Sequence, residues 1–268
     1  MLSNFFERKC KMRKVSERQL DSLGNEIHVP KDMKKLLNLN FLKWLNKTGR
    51  IGKYDLPYLY CYTEIFPDYI ALDNEPGLYH HTPQTCVSFY NYDNEFDGIH
   101  GLYNAIYFGD EKLLTKYKKR YQDVNFFITP DYSVCGDVHH LENLYRIWKS
   151  RIVGIWLSLV MGAVVIPNIM YYSEEYFDES IAGLEECSVV AFSTKGHMRN
   201  PQERQLTRKM IKYTVDHLHN LNAIVVYSVC GNENDIYKLF EYATLQGVSV
   251  IIPRNRLQVR NAGRCHRG

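Results

Sequence analysis

Two aspartates, Asp93 and Asp131, close apolar runs with the composition of buried strands, VSFYNYD (87–93) and VNFFITPDYS (124–133). A carboxylate at such a place can bind Mg²⁺ through its oxygens or exchange a proton with a substrate. Two of them ending consecutive strands can share these tasks, although each can also cap the turn that follows it. Ser193, Thr194, Lys195 and Gly196 form a second group, at the end of SVVAFSTKG (188–196). Their hydroxyls, amine and permissive backbone suit an anion such as phosphate. Just downstream, Asn200, Pro201 and Glu203 announce a capped helix N-terminus, which favours negative charge. The GxxxxGK spacing of a phosphate loop is missing, so an ordinary connector is the competing reading. Ser133, Asn168 and Tyr227 end or follow other runs and complete the candidate substrate-binding rim. Arg146, on the helix expected after TPDYS (129–133), can neutralise a phosphate or pair with Asp131 or Glu142.

The remaining polar clusters are weaker. Arg146 and Lys149 are three apart and share a helix face, whereas Arg151 points elsewhere. Surface salt bridging is their simpler use. His80-His81 and His139-His140 are adjacent pairs whose side chains diverge, so neither is a good bidentate ligand. His139 and His140, close after Asp137, can still reach a metal together with Asp131. Glu174 and Glu175 are reserve carboxylates. The seven cysteines are odd in number and lack CxxC spacing, which excludes a disulfide framework or zinc signature and fits a reducing cytoplasm. Cys135 lies near the proposed rim, with little else to mark it as a nucleophile. No GxSxG, HExxH or GxGxxG occurs.

The elements that must position these residues follow from periodicity. Further apolar runs read AVVIPNIMYY (163–172), AIVVYSVCG (223–231) and VSVIIPRN (248–255). A shorter strand is expected at 69–72. Helical patterns intervene at about 110–121, 139–161, from 201 onward, and 234–246. Strands alternating with helices imply right-handed crossovers and a parallel sheet, with sites at the carboxyl ends of the strands. The expected fold class is therefore α/β: a mainly parallel sheet of repeated βα units, barrel-like (partial TIM-like) or doubly wound, after a small N-terminal helical and loop region. The expected domains are a basic extension and helix over 1–52, an α/β domain over 53–255, and a basic tail over 256–268. Within the first, 31–47 spaces Met33, Leu36, Leu37, Leu39, Phe41, Leu42 and Leu45 roughly as a helix face.

A net charge of +3 does not by itself announce a nucleic-acid partner. Arginines and lysines crowd both ends, however, and basic ends can hold phosphate backbones. The 21 tyrosines fit a sheet and its packing, with base or sugar stacking as the alternative. The start, 1–14, is charged and lacks the apolar core of a leader. The apolar stretch 152–167 is shorter than the roughly 20 residues that a bilayer requires, so no membrane partner is expected.

Taken in order, FYNYDNEF (89–96), TPDYS (129–133), NLYRIWKSRIVGIWL (143–157), GAVVIPNIMYY (162–172), SVVAFSTKG (188–196) and VVYSVCG (225–231) resemble the bacterial and phage family known as domain of unknown function 4417. The family carries Trp shortly after the Pro-Asn strand and Gly after the Tyr of the fifth strand, where this chain has Tyr171 or Tyr172, and Ser228. The resemblance implies phage or mobile-element origin and an intracellular setting, with no established reaction. The expected function is a cytoplasmic enzyme acting on a phosphate-bearing substrate, a nucleotide or nucleic acid. Asp131 and Asp93 would do the acid/base or Mg²⁺ work. A non-catalytic module that binds nucleic acid or a host protein is the alternative. A carbohydrate-active (β/α) enzyme with two carboxylates flanking a glycosidic bond is the third.

Overall fold

The computed structural model of the protein describes residues 48–265. The basic start and the helix expected over 31–47 lie outside the described residues. A small antiparallel hairpin comes first, β1 (Arg50–Ile51) with β2 (Leu56–Pro57). All later strands pair in parallel. They are β3 (Tyr69–Leu72), β4 (Thr85–Ser88), β5 (Phe126–Ile128), β6 (Val164–Ile166), β7 (Val189–Ser193), β8 (Ala223–Tyr227), β9 (Ser249–Ile251) and β10 (Arg254–Asn255).

These strands make a five-stranded sheet, β10-β3-β4-β5-β6, and a three-stranded sheet, β7-β8-β9. The two meet where Asn168 bridges Ala191, just beyond β6. On the other side, β9 and β10 are consecutive in the chain with two residues between them. The fold is α/β with parallel sheets, as expected. The ladder is two sheets joined by one bridge rather than an uninterrupted hydrogen-bonded cylinder.

Strands β3, β4, β5, β7 and β8 are buried along their whole length, which is why their sequences are continuous apolar runs rather than alternating ones. Each such Val, Ile or Phe contributes roughly 1.5–3 kcal/mol on burial. The runs nevertheless outlast the strands. The first ends its ladder at Ser88, not Asp93, so Asp93 is not a strand-end residue. Pro130, Pro167 and Pro253 lie just past β5, β6 and β9, and a residue without N–H cannot extend a ladder. The ends of the runs instead form the rim where the candidate residues sit.

Nine α-helices are present among the described residues. Three short ones were not expected: α1 (Asp93–Phe96), α2 (Leu102–Phe108) and, later in the chain, α5 (Phe177–Ile181). Helix α3 (Glu111–Arg120) is capped by Asp110, which accepts from Leu113 N–H. Helix α4 (His140–Met161) is capped by His139 and stopped by left-handed Gly162. Helix α6 (Pro201–His217) starts on Asn200 with Pro201 in its first turn. The capping box expected from Glu203 does not close, because that carboxylate faces His197 Nδ1 at 3.3 Å instead.

The single helix expected over 234–246 is two, α7 (Glu233–Leu239) and α8 (Glu241–Leu245). Between them Phe240 is fully buried and packs edge-on against Phe192. Residues expected as a basic tail form α9 (Arg256–Cys265), whose Asn261 side chain donates to the Val229 carbonyl at 2.7 Å. No helix among the described residues is long and apolar enough to cross a membrane.

Candidate functional site

Three strand ends converge on one buried polar chain. Asn168, two residues past β6 and 4% exposed, donates from Nδ2 to Asp131 Oδ1 at 2.7 Å. Its Oδ1 accepts from the Tyr90 hydroxyl at 2.8 Å. Its backbone N–H donates to Thr129 Oγ1 at 2.9 Å. Asp131 follows β5 and Tyr90 follows β4, so the parallel register brings β4, β5 and β6 to one point. Asp131 keeps some accessible surface, while its carboxyl is closely surrounded by protein. Burial pushes that carboxyl up to about 7, against the opposing bond from Asn168; the nearby Asp93 charge raises it further and Lys195 lowers it. A carboxyl in this state can both give and take a proton near neutrality.

Asp93 lies within electrostatic reach of Asp131, although it opens α1 rather than ending β4. Its oxygens accept from Ser133 N–H at 3.1 Å and from Ser133 Oγ at 3.0 Å. Arg146 braces the same turn, bonding the Ser133 carbonyl and Glu142. Asp93, Ser133 and Arg146 thus shape the turn that carries Asp131. Among the described residues no group of three or more His, Cys, Asp or Glu gathers as a metal ion requires. His139 caps α4, and His140 sits between the Tyr172 and Tyr54 hydroxyls.

The loop after β7 approaches from the other sheet. Lys195 Nζ donates to the Tyr90 carbonyl at 2.8 Å and lies 4.9 Å from the exposed Tyr92 ring. Ser193 Oγ accepts from Lys195 N–H, and Thr194 N–H and Oγ1 both turn to the Tyr227 carbonyl. Much of this loop's donor capacity is therefore used within the fold. Tyr227 is fully buried and its ring stacks on Tyr90, centroids 4.6 Å apart. Its hydroxyl has no hydrogen-bond partner among the described residues.

A cavity of about 560 Å³ opens beyond the same loop. Thr194, Gly196 and Arg199 line one side, Val229 and Cys230 the other, and Asn261 of α9 the third. Asp131 does not line it, and the cavity adjoins the Asp131 cluster through residues 194–196. Gly196 has φ +93 and open space where a Cβ would stand, so the turn requires the permissive backbone of glycine. Arg199 makes no ion pair among the described residues and is exposed.

Several candidates have other employment. Lys149 pairs with Asp97 beneath the Tyr132 and Tyr103 rings. Arg151 is buried, donates to the Ser180 carbonyl, and burial lowers its guanidinium to about 10. Glu174 pairs with Lys209 at 2.5 Å. Cys135 is exposed, and its bond to Asp137 raises the thiol rather than activating it. Tyr90 was missing from the expected site, because spacing does not reveal where a hydroxyl points. Asp73, just past β3, was also missed. Burial raises its carboxyl, and Tyr121, Arg120 and Tyr79 enclose it and oppose the rise. Asp73 follows a buried parallel strand just as Asp131 does.

Residues 49–243 match the family described as "Domain of unknown function (DUF4417)", well over half of the chain. The chain is 25% identical over 166 residues to the "Gene 1 protein" of Mycobacterium phage L5, covering 61% of this chain and 66% of that protein. It is 26% identical over 115 residues to the "Gene 1 protein" of Mycobacterium phage D29, covering 42% and 40%. The matched region is therefore less than two thirds of the length of either phage relative.

Proposed function

The chain belongs to the domain of unknown function 4417 family, and on that footing we propose that it is a phage-associated enzyme acting on a phosphate-bearing substrate, a nucleotide or nucleic acid. Asp131 is the group that exchanges a proton with the substrate. The observation that carries this reading is the Asp131 carboxyl itself: near the carboxyl end of a parallel strand, tied to Asn168, poised at about 7, with Lys195 and Asp93 beside it. General acid–base catalysis is most effective when the pKa lies near the working pH. The phosphate is assigned to the adjoining cavity, on the side of Thr194, Gly196 and Arg199. An arginine with no ion pair among the described residues, beside an open, glycine-built turn, suits a tetrahedral anion. Lys195 stands between the two places and can share the charge.

A panel of nucleoside 5′-phosphates and short oligonucleotides, followed by ³¹P NMR and ion-exchange chromatography, tests the proposal. Wild type should convert at least one of them, with an inflection near pH 7 in its rate profile. Asp131→Asn should bind the same compound and turn it over about 10²–10⁴-fold more slowly. Saturable binding without turnover in either protein would instead mark a binding module.

A further inference from the structure

We infer that Tyr90 is the positioning residue of this rim: its hydroxyl fixes which way Asn168 faces Asp131, and its carbonyl holds Lys195 beside the same carboxyl. The inference rests on the proposed role of Asp131, but the bonds that carry it need no substrate. The Tyr90 ring is 2% exposed and lies flat on Tyr227, with 15° between the ring planes. Burial, joined by the charges of Asp131, Cys86 and Tyr227, pushes its phenol well above the ordinary value, so it keeps its proton. A buried O–H needs an acceptor, and Asn168 Oδ1 is 2.8 Å away.

That bond commits the orientation of the amide. With Oδ1 turned to Tyr90, Nδ2 must face Asp131 Oδ1, 2.7 Å away. A reversed amide would leave the Tyr90 proton without an acceptor. The Asn168 main chain is held separately, by Thr129 Oγ1 and the bridge to Ala191, so the side-chain amide alone is free to turn. The carboxyl oxygen that accepts from N–H is the carbonyl-like one. The exchangeable proton of neutral Asp131 therefore belongs on Oδ2, and Tyr90 determines which oxygen meets a substrate. The groups facing Asp131 come from several elements: Asp93 from α1, Tyr90 from beyond β4, Tyr171 from beyond β6 and Lys195 from beyond β7.

Tyr90→Phe tests this, because it keeps the stacked ring and removes only the O–H. Tyr227→Phe is the control: it removes the other hydroxyl of the same stacked pair, which has no partner among the described residues. The Asp131 carboxyl is followed by ¹³C NMR in the full chain labelled at aspartate, with Asp131→Asn for assignment. Tyr90→Phe should raise the Asp131 inflection by about half a pH unit or more, since a released Asn168 can turn its Oδ1 to accept from the neutral carboxyl. Tyr227→Phe should leave it in place. No movement in Tyr90→Phe, or equal movement in both variants, would overturn the inference. A further check needs no substitution: the Asn168 side-chain N–H signals should follow the Asp131 titration in wild type. Signals that ignore it also count against Tyr90. If wild-type Asp131 titrates in the ordinary carboxylate range, the proton-transfer reading fails. The comparison of the two variants still decides the role of Tyr90.

Discussion

At Asp131 the influences on one carboxyl can be separated by substitution. Burial raises it, Asp93 raises it, and Asn168 and Lys195 lower it. Asp93→Asn removes a like charge while leaving an oxygen to accept from Ser133, so the Asp131 inflection should fall. Lys195→Met removes a cation, so the inflection should rise. Opposite movements in ¹³C titrations of the two variants are the expected result, and movement in one direction for both would contradict the assignment. This grouping was partly legible in the sequence. Asp131, Asn168 and Lys195 lie past successive apolar runs, and parallel strands deliver such ends to one rim. The orientation of Tyr90 was not legible, nor was the diversion of Asp93 into a turn with Ser133, because both depend on contacts across the sheet.

Helix α4 bonds the Asp131 turn through Arg146 and Ser150, and it packs most tightly against the site at Gly154. A Cβ on Gly154 would stand 2.8 Å from Thr129 Cγ2 and 3.0 Å from Leu59 Cδ1. Thr129 is the residue that holds the Asn168 backbone. Gly154→Ala should gain up to about 1 kcal/mol from helix propensity. Overpacking at Thr129 should outweigh that gain, giving a net loss of about 1–2 kcal/mol in urea unfolding. A more stable variant would show that α4 can shift outward freely. At this scale, elements with strong local signals were readable: Asn200 and Gly162 mark helix ends with a side chain and a permissive backbone, while the caps by Asp110 and His139 emerge only from the structure. The break at Phe240 was not, because tertiary burial of one aromatic ring overrode a continuous helical pattern. Helix α9 was hidden by its many arginines, which read as a basic tail while Asn261 and Ala262 pack against the 229–231 turn.

Across the whole molecule, two parallel sheets converge on a rim where one carboxyl is kept from its ordinary charged state, and this makes stability depend on pH. Asp131 is raised to about 7 in the folded protein, from a reference of 3.8. Between those values the folded chain binds more proton than the unfolded one, so this group's contribution to stability falls as pH rises through the window and is flat above it. Asp131→Asn keeps an oxygen to accept from Asn168 and has no charge to bury. The most direct measurement is the unfolding free energy of wild type and Asp131→Asn, by urea titration at pH 5 and pH 8. At about 1.4 kcal/mol per pH unit, discounted for the partial exposure of Asp131, the variant should gain about 1–3 kcal/mol on wild type at pH 8 relative to pH 5. A difference between the two proteins that stays constant over this range, or that favours wild type more at pH 8, would show that Asp131 is an ordinary surface carboxylate and not the proton-exchanging centre of the rim.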